Sequence, residues 1–139
     1  MEKLPEAVRD LIEKPAIATF ASLLPTGHPH VVPVWVDHDG THVLVVSRKE
    51  TRKFRNVESD PRVTVTILDP DYPYRYADVR GEVDELIEDG AIEVSDRLAT
   101  RYWGVDEYPF ARDAPRVVFR VRPDRVHAQD VDTPDHADV

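Results

Sequence analysis

The stretch His30-Val31-Val32-Pro33-Val34-Trp35-Val36-Asp37-His38-Asp39-Gly40-Thr41-His42-Val43-Leu44-Val45-Val46-Ser47 decides the fold. Its first run, His30 to Asp37, is apolar nearly throughout, as expected of a strand covered on both faces. Asp and Gly tolerate positive φ, so Asp39-Gly40 predicts a hairpin turn of the primed type. Thr41 to Ser47 is then the next strand, antiparallel to the first. An earlier strand, Ala16 to Leu24, precedes the turn Pro25-Thr26-Gly27. No helix separates these three strands. Parallel neighbours need a long crossover, so a parallel doubly wound sheet is disfavoured.

Working outward, the next ten residues change character. Ser47-Arg48-Lys49-Glu50-Thr51-Arg52-Lys53-Phe54-Arg55-Asn56 carries five cations in a chain of net charge −9. It follows a β-branched run and predicts a helix over 49–59, with Phe54 and Val57 inward, closed by Ser59-Asp60-Pro61. Helix-start N–H groups together with Lys and Arg make an oxyanion site. The plain alternative is a solvated charged face, and some of these arginines pair with surface carboxylates.

The remaining elements alternate. Pro5 to Glu13 predicts a short amphipathic helix. Arg62 to Asp69 and Tyr74 to Glu85 predict strands, with a bulge or bend at Gly81. Glu88 to Tyr102 predicts a helix, Gly104 to Ala114 a loop, and Arg116 to Arg122 a sixth strand that Arg125 to Gln129 extends. The expected architecture is therefore mainly β: a six-stranded, antiparallel split barrel with short helices, one domain over 1–129. The acidic segment 130–139 is expected to be a disordered tail.

Composition excludes several classes. The chain has no cysteine, hence no disulfide, thiol nucleophile or thiolate metal site. Its acidity opposes nucleic acid. No run reaches membrane-span length, and the N-terminus lacks a signal-peptide pattern, so a cytoplasmic, non-membrane protein is expected. His28 and His30 flank Pro29, and His38 and His42 flank the Asp39-Gly40 turn, in spacings that fit no zinc pattern, so no metal site is expected. Ser22 and Ser47 lack a nucleophile elbow. No catalytic acid or base stands out.

Several ordered segments together resemble a known family: Ala18-Thr19-Phe20-Ala21-Ser22-Leu23 with Gly27-His28-Pro29-His30; Pro33-Val34-Trp35-Val36; Arg52-Lys53-Phe54-Arg55-Asn56 with Asp60-Pro61-Arg62-Val63; and Pro73-Tyr74-Arg75-Tyr76 with Val79-Arg80-Gly81. The chain resembles the pyridoxamine 5′-phosphate oxidase-like split barrels, most of all the branch of coenzyme F420-dependent oxidoreductases. The resemblance implies an FMN-binding-type fold and a homodimer with the cofactor site at the subunit interface. It places the cofactor phosphate near Ser47, Lys49, Lys53 and Asn56, and the ring beside Pro33, Val34 and Trp35. Trp35 reads equally as a core residue. The tyrosines Tyr72, Tyr74 and Tyr76 are expected at the dimer interface. Where the family often has Gly and Arg before the Lys, this chain has Glu50-Thr51-Arg52. Hydride transfer from F420 to a small organic acceptor is the implied activity. FMN-dependent oxidation and a non-catalytic flavin or haem carrier are the alternatives.

Overall fold

The computed structural model describes residues 2–129, so the expected tail at 130–139 lies outside the described residues. The elements run α1 (Glu6–Ile12), β1 (Ala18–Leu23), β2 (Pro29–Val34), β3 (Asp37–His38), β4 (Val43–Arg48), α2 (Arg52–Ser59), β5 (Arg62–Leu68), β6 (Tyr76–Ile87), α3 (Ala91–Trp103) and β7 (Arg116–Gln129). The strands form one antiparallel sheet in the order β2-β1-β5-β6-β7-β4-β3. This is the split barrel, with one more strand than the sequence predicted.

The extra strand arises because the apolar run His30 to Asp37 breaks. Its first part pairs with β1, and its last two residues pair with β4. The anticipated pairing of the whole run with Thr41 to Ser47 is therefore confined to Asp37 and His38. The break closes the barrel. β2 and β3 lie at opposite ends of the strand order, yet only Trp35 and Val36 separate them. Three Cα–Cα steps span at most about 11 Å, so the sheet curls until its two edges nearly meet. At the hairpin only Gly40 takes positive φ, at 96°. Asp39 instead accepts from the Thr41 and His42 N–H groups through its side chain, which orients the turn without a left-handed Asp.

Alternation sets the core. Phe20, Val65, Val79, Val45 and Phe119 point inward and are fully buried. Phe119 contacts Phe20 and Phe54, with centroids 5.5 and 6.5 Å apart. Each such side chain contributes about 1.5–3 kcal/mol by leaving water. α1 adds Val8, Leu11 and Ile12, and α2 adds Phe54 and Val57. A second, smaller cluster on the outside of β4 and β7 holds Leu44 and Val118 against Ala91 of α3.

α3 fastens the seam. The Tyr102 hydroxyl accepts from the Val36 N–H at 3.2 Å and donates to the Ala16 carbonyl. Arg97 and Arg101 reach the buried Asp37 carboxylate at 2.7 and 3.2 Å. The junction that aims Trp35 is thus held from two sides. No helix among the described residues is long and apolar enough to cross a membrane.

Candidate functional site

α2 begins at Arg52, three residues later than the sequence predicted, because Thr51 caps it. The Thr51 hydroxyl accepts from the Phe54 N–H at 3.3 Å and lies 2.7 Å from the Ser47 hydroxyl at the end of β4. The polar residues that end β4 therefore also start α2. Lys53 sits in the first turn, beside the strand end. Arg48 pairs with Glu50 at 3.1 Å in solvent, an interaction of small net value.

Beside this corner lies a cavity of about 490 Å³. Its cationic end has Ser47, Arg48, Thr51 and Lys53. Its apolar side has Pro33, Val34 and Trp35 from the end of β2, with Ile17 and Leu98. Trp103, Tyr108 and Arg116 also line it, and no carboxylate among the described residues does. Lys53 has no hydrogen-bond or ion-pair partner among the described residues. Burial, and secondarily the Arg48 guanidinium, hold its ammonium below the ordinary lysine value of 10.5. A desolvated cation next to another cation has its charge unanswered by the protein.

The aromatic wall is ordered by stacking. Trp35 stacks on Tyr102 at 4.8 Å and meets Trp103 and Tyr108 edge-on at 4.5 and 6.0 Å. Trp35 is half-buried, so it serves the packing and the cavity at once. Arg116 is buried with no carboxylate partner among the described residues. Its guanidinium donates to the Ala111 and Ala114 carbonyls and the Ser95 hydroxyl, and lies 5.6 Å from the Tyr108 ring centre.

The structure brings Pro33, Val34, Trp35, Ser47 and Lys53 together around one cavity. It does not bring Lys49 or Asn56 there. Lys49 forms an ion pair with Glu88. Asn56 is fully buried; it donates to the Ser22 hydroxyl at 3.1 Å and accepts from Arg52 at 2.8 Å. Tyr72, Tyr74 and Tyr76 are not among the residues that line this cavity: Tyr72 and Tyr74 touch edge-on, and Tyr76 packs near His127. Sequence reasoning missed Trp103, Tyr108 and Arg116. Trp103 precedes a helix-ending Gly104 at φ 69°, a signal of where α3 stops but not of what its last residue faces. Tyr108 lies in a loop, and only the folded register turns Arg116 inward.

A sequence profile named Pyridoxamine 5′-phosphate oxidase matches residues 4–130. The chain belongs to this family. Among solved structures, an F420 reductase is similar at 34% identity and TM-score 0.80, over 91% of this chain and 100% of that one. A conserved hypothetical protein of Mycobacterium tuberculosis is similar at 25% identity and TM-score 0.70, over 91% and 85%. General Stress Protein 26 of Bacillus anthracis shares the fold at 17% identity and TM-score 0.65, over 88% and 91%. No curated protein sequence matches. For a member of the pyridoxamine 5′-phosphate oxidase family, these likenesses support an oxidoreductase-like role with a flavin or deazaflavin.

Proposed function

We propose that the protein is an oxidoreductase that holds the deazaflavin F420 in the cavity between β2, β4, α2 and α3 and reduces a small organic acceptor. The observation that carries this is Lys53: a partly desolvated ammonium, without a carboxylate partner, at the cationic end of a cavity whose other end is aromatic. That division matches a cofactor with an anionic tail and a flat, largely apolar ring. The F420 reductase similar over 91% of the chain supports the choice of cofactor.

When bound, the ring supplies the hydride. Lys53 and the Ser47–Thr51 corner anchor its phosphate through charge-assisted bonds. Pro33, Val34 and Trp35, on the apolar side of the cavity, would hold the ring and exclude water from it. Arg116, fixed by three neutral acceptors, presents a positive charge to that end of the cavity. Asn56 acts at a distance: it ties Arg52 to Ser22 and so holds the turn that carries Lys53. Lys49, bound to Glu88, serves the phosphate only if that pair opens.

The cavity is open along Ile17 and Trp103, which are 51% and 50% exposed. A second copy of the chain closing this side would complete the site as a homodimer. FMN is the second reading, favoured by the Lys49–Glu88 pair, which leaves fewer cations for the longer anionic tail of F420. Absorbance of the purified protein, followed by fluorescence titration with F420 and FMN separately, tests both. Micromolar F420 binding is expected, and reduced F420 should give its hydride to a quinone or enone acceptor, which also takes up a proton, and return to the oxidised form. Tighter FMN binding selects the second reading, and binding of neither rejects the site.

A further inference from the structure

A second cavity, about 560 Å³, lies on the outer face of the sheet and shares no lining residue with the first. Arg62, Arg80 and Arg125 line it, with the Thr64 side of β5 and the backbone around Gly81. Arg80 and Arg125 stand directly opposite each other on β6 and β7. Like charges in that relation destabilise a sheet. The usual remedy is a carboxylate paired to each, and among the described residues none is paired to Arg80 or Arg125. Arg62 is engaged by Asp60 at 2.7 Å. Glu82 and Asp124, which also line the cavity, are both engaged by Arg122, at 2.6 and 3.1 Å. Among the described residues, Arg80 and Arg125 make no hydrogen bond or ion pair.

The local geometry explains why the two arginines start from facing backbone positions. The β6–β7 register shifts between Arg80 and Gly81, which places Asp124 as the extra residue of a bulge. A Cβ on Gly81 would lie 1.9 Å from the Arg122 carbonyl oxygen, so the strands pass unusually close there. Bulges re-aim side chains, and this one sets Arg125 against Arg80 beside a concave surface. Two guanidiniums with free N–H forks, facing one hollow on a chain of net charge −9, are a bidentate oxyanion receptor.

We infer that Arg80 and Arg125 form a second oxyanion site, for a phosphate or carboxylate group of a small molecule, separate from the cofactor cavity. The bound oxyanion bridges the two guanidiniums and removes their repulsion; Thr64 lies opposite Arg80 on β5, at the edge of the same hollow.

The test uses the full chain at fixed ionic strength, with inorganic phosphate and glutarate as separate probes. The arginine Nε–Hε resonances are followed by NMR. Saturable shifts at Arg80 and Arg125 in the millimolar range are expected, and the probe bound more tightly names the ligand class. The double variant Arg80→Gln, Arg125→Gln is expected to weaken the saturable response at neighbouring backbone amides by about tenfold or more, the loss of two charge-assisted bonds. Lys53→Ala is expected to leave it unchanged, because the cavities are separate. Without anion and at low salt, Arg125→Gln is expected to melt above the wild type, and phosphate to reverse that order. Linear, non-saturating shifts overturn the inference. So does an unchanged anion response in a double variant that has lost self-association, since carboxylates of a second copy would then be the arginines' partners. A melting temperature that does not rise in Arg125→Gln removes the repulsion on which the inference stands.

Discussion

At the scale of single residues, the site turns on an ammonium that folding leaves unanswered. Burial disfavours the charged form of Lys53, and Arg48 adds to that. The unfolded chain therefore keeps this proton to higher pH than the folded one, and stability rises with pH between the lowered folded value and 10.5. An anion at the site reverses the balance by favouring the charged form. Cofactor affinity then falls as pH rises through the lysine's own lowered value. Lys53→Ala is expected to weaken F420 or FMN binding roughly tenfold to a hundredfold, the loss of a charge-assisted bond worth about 1.5–3 kcal/mol. The same variant should abolish the alkaline fall. Arg55→Ala, on the exposed side of the same helix, removes equal charge without the contact and should cost less than threefold, roughly the screened field effect. Fluorescence titration across pH at constant ionic strength measures both. Equal losses in the two variants would reduce Lys53 to part of a general field.

At the scale of elements, α2 depends on its start. Thr51 caps the Phe54 N–H and meets Ser47, so one residue joins β4 to the helix. Thr51→Ala should destabilise the protein by about 0.5–2 kcal/mol, and Thr51→Ser by much less, in urea denaturation. A loss confined to Thr51→Ala ties the effect to the hydroxyl; identical losses would assign it to the threonine methyl. The β6–β7 crossing is a harsher constraint. Gly81→Ala places its Cβ against the Arg122 carbonyl backbone, which no rotamer relieves. A cost of about 1–3 kcal/mol or more is expected, since overpacking forces backbone shifts, and a variant of wild-type stability would mean the strands separate freely. These two elements show what the sequence discloses. Alternation and turn residues are local, so strands, the Gly81 irregularity and the basic helix were legible. The helix start was misplaced because Thr51 competes as a cap with the earlier charged residues. The break at Trp35-Val36 was not legible, because an unbroken apolar run looks the same whether it serves one strand or bridges two sheet edges. Lys53, Trp35 and Ser47 came as site candidates from the family resemblance, and the fold puts all three around one cavity. Trp103, Tyr108 and Arg116 arrive through the α3–β7 connection, whose path no local pattern specifies.

At the scale of the whole molecule, one face of β2 has no cover among the described residues. Val32 and Val34 pack on the core, while Val31 and Pro33 point away, with Val31 57% exposed. The sequence suggested cover on both faces, and a single chain supplies only one. Next to this face, Ile17 and Trp103 are half-exposed at the rim of the cofactor cavity. Contiguous apolar exposure of this kind marks an interaction surface. A second copy related by a two-fold axis covers such a patch with itself, which is why isologous dimers are the common solution. Light scattering at micromolar concentration should therefore return about twice the 15.9 kDa chain mass. Val31→Asp puts a charge into this apolar face, and it should shift the population to monomer without unfolding it, because the side chain is outside the core. Cofactor affinity should fall in parallel if the partner closes the open side at Ile17 and Trp103. A monomeric Val31→Asp that binds the cofactor as tightly as the wild type would leave the dimer standing and confine the site to one chain. A wild type that is monomeric with cofactor bound would remove both the dimer and the shared site.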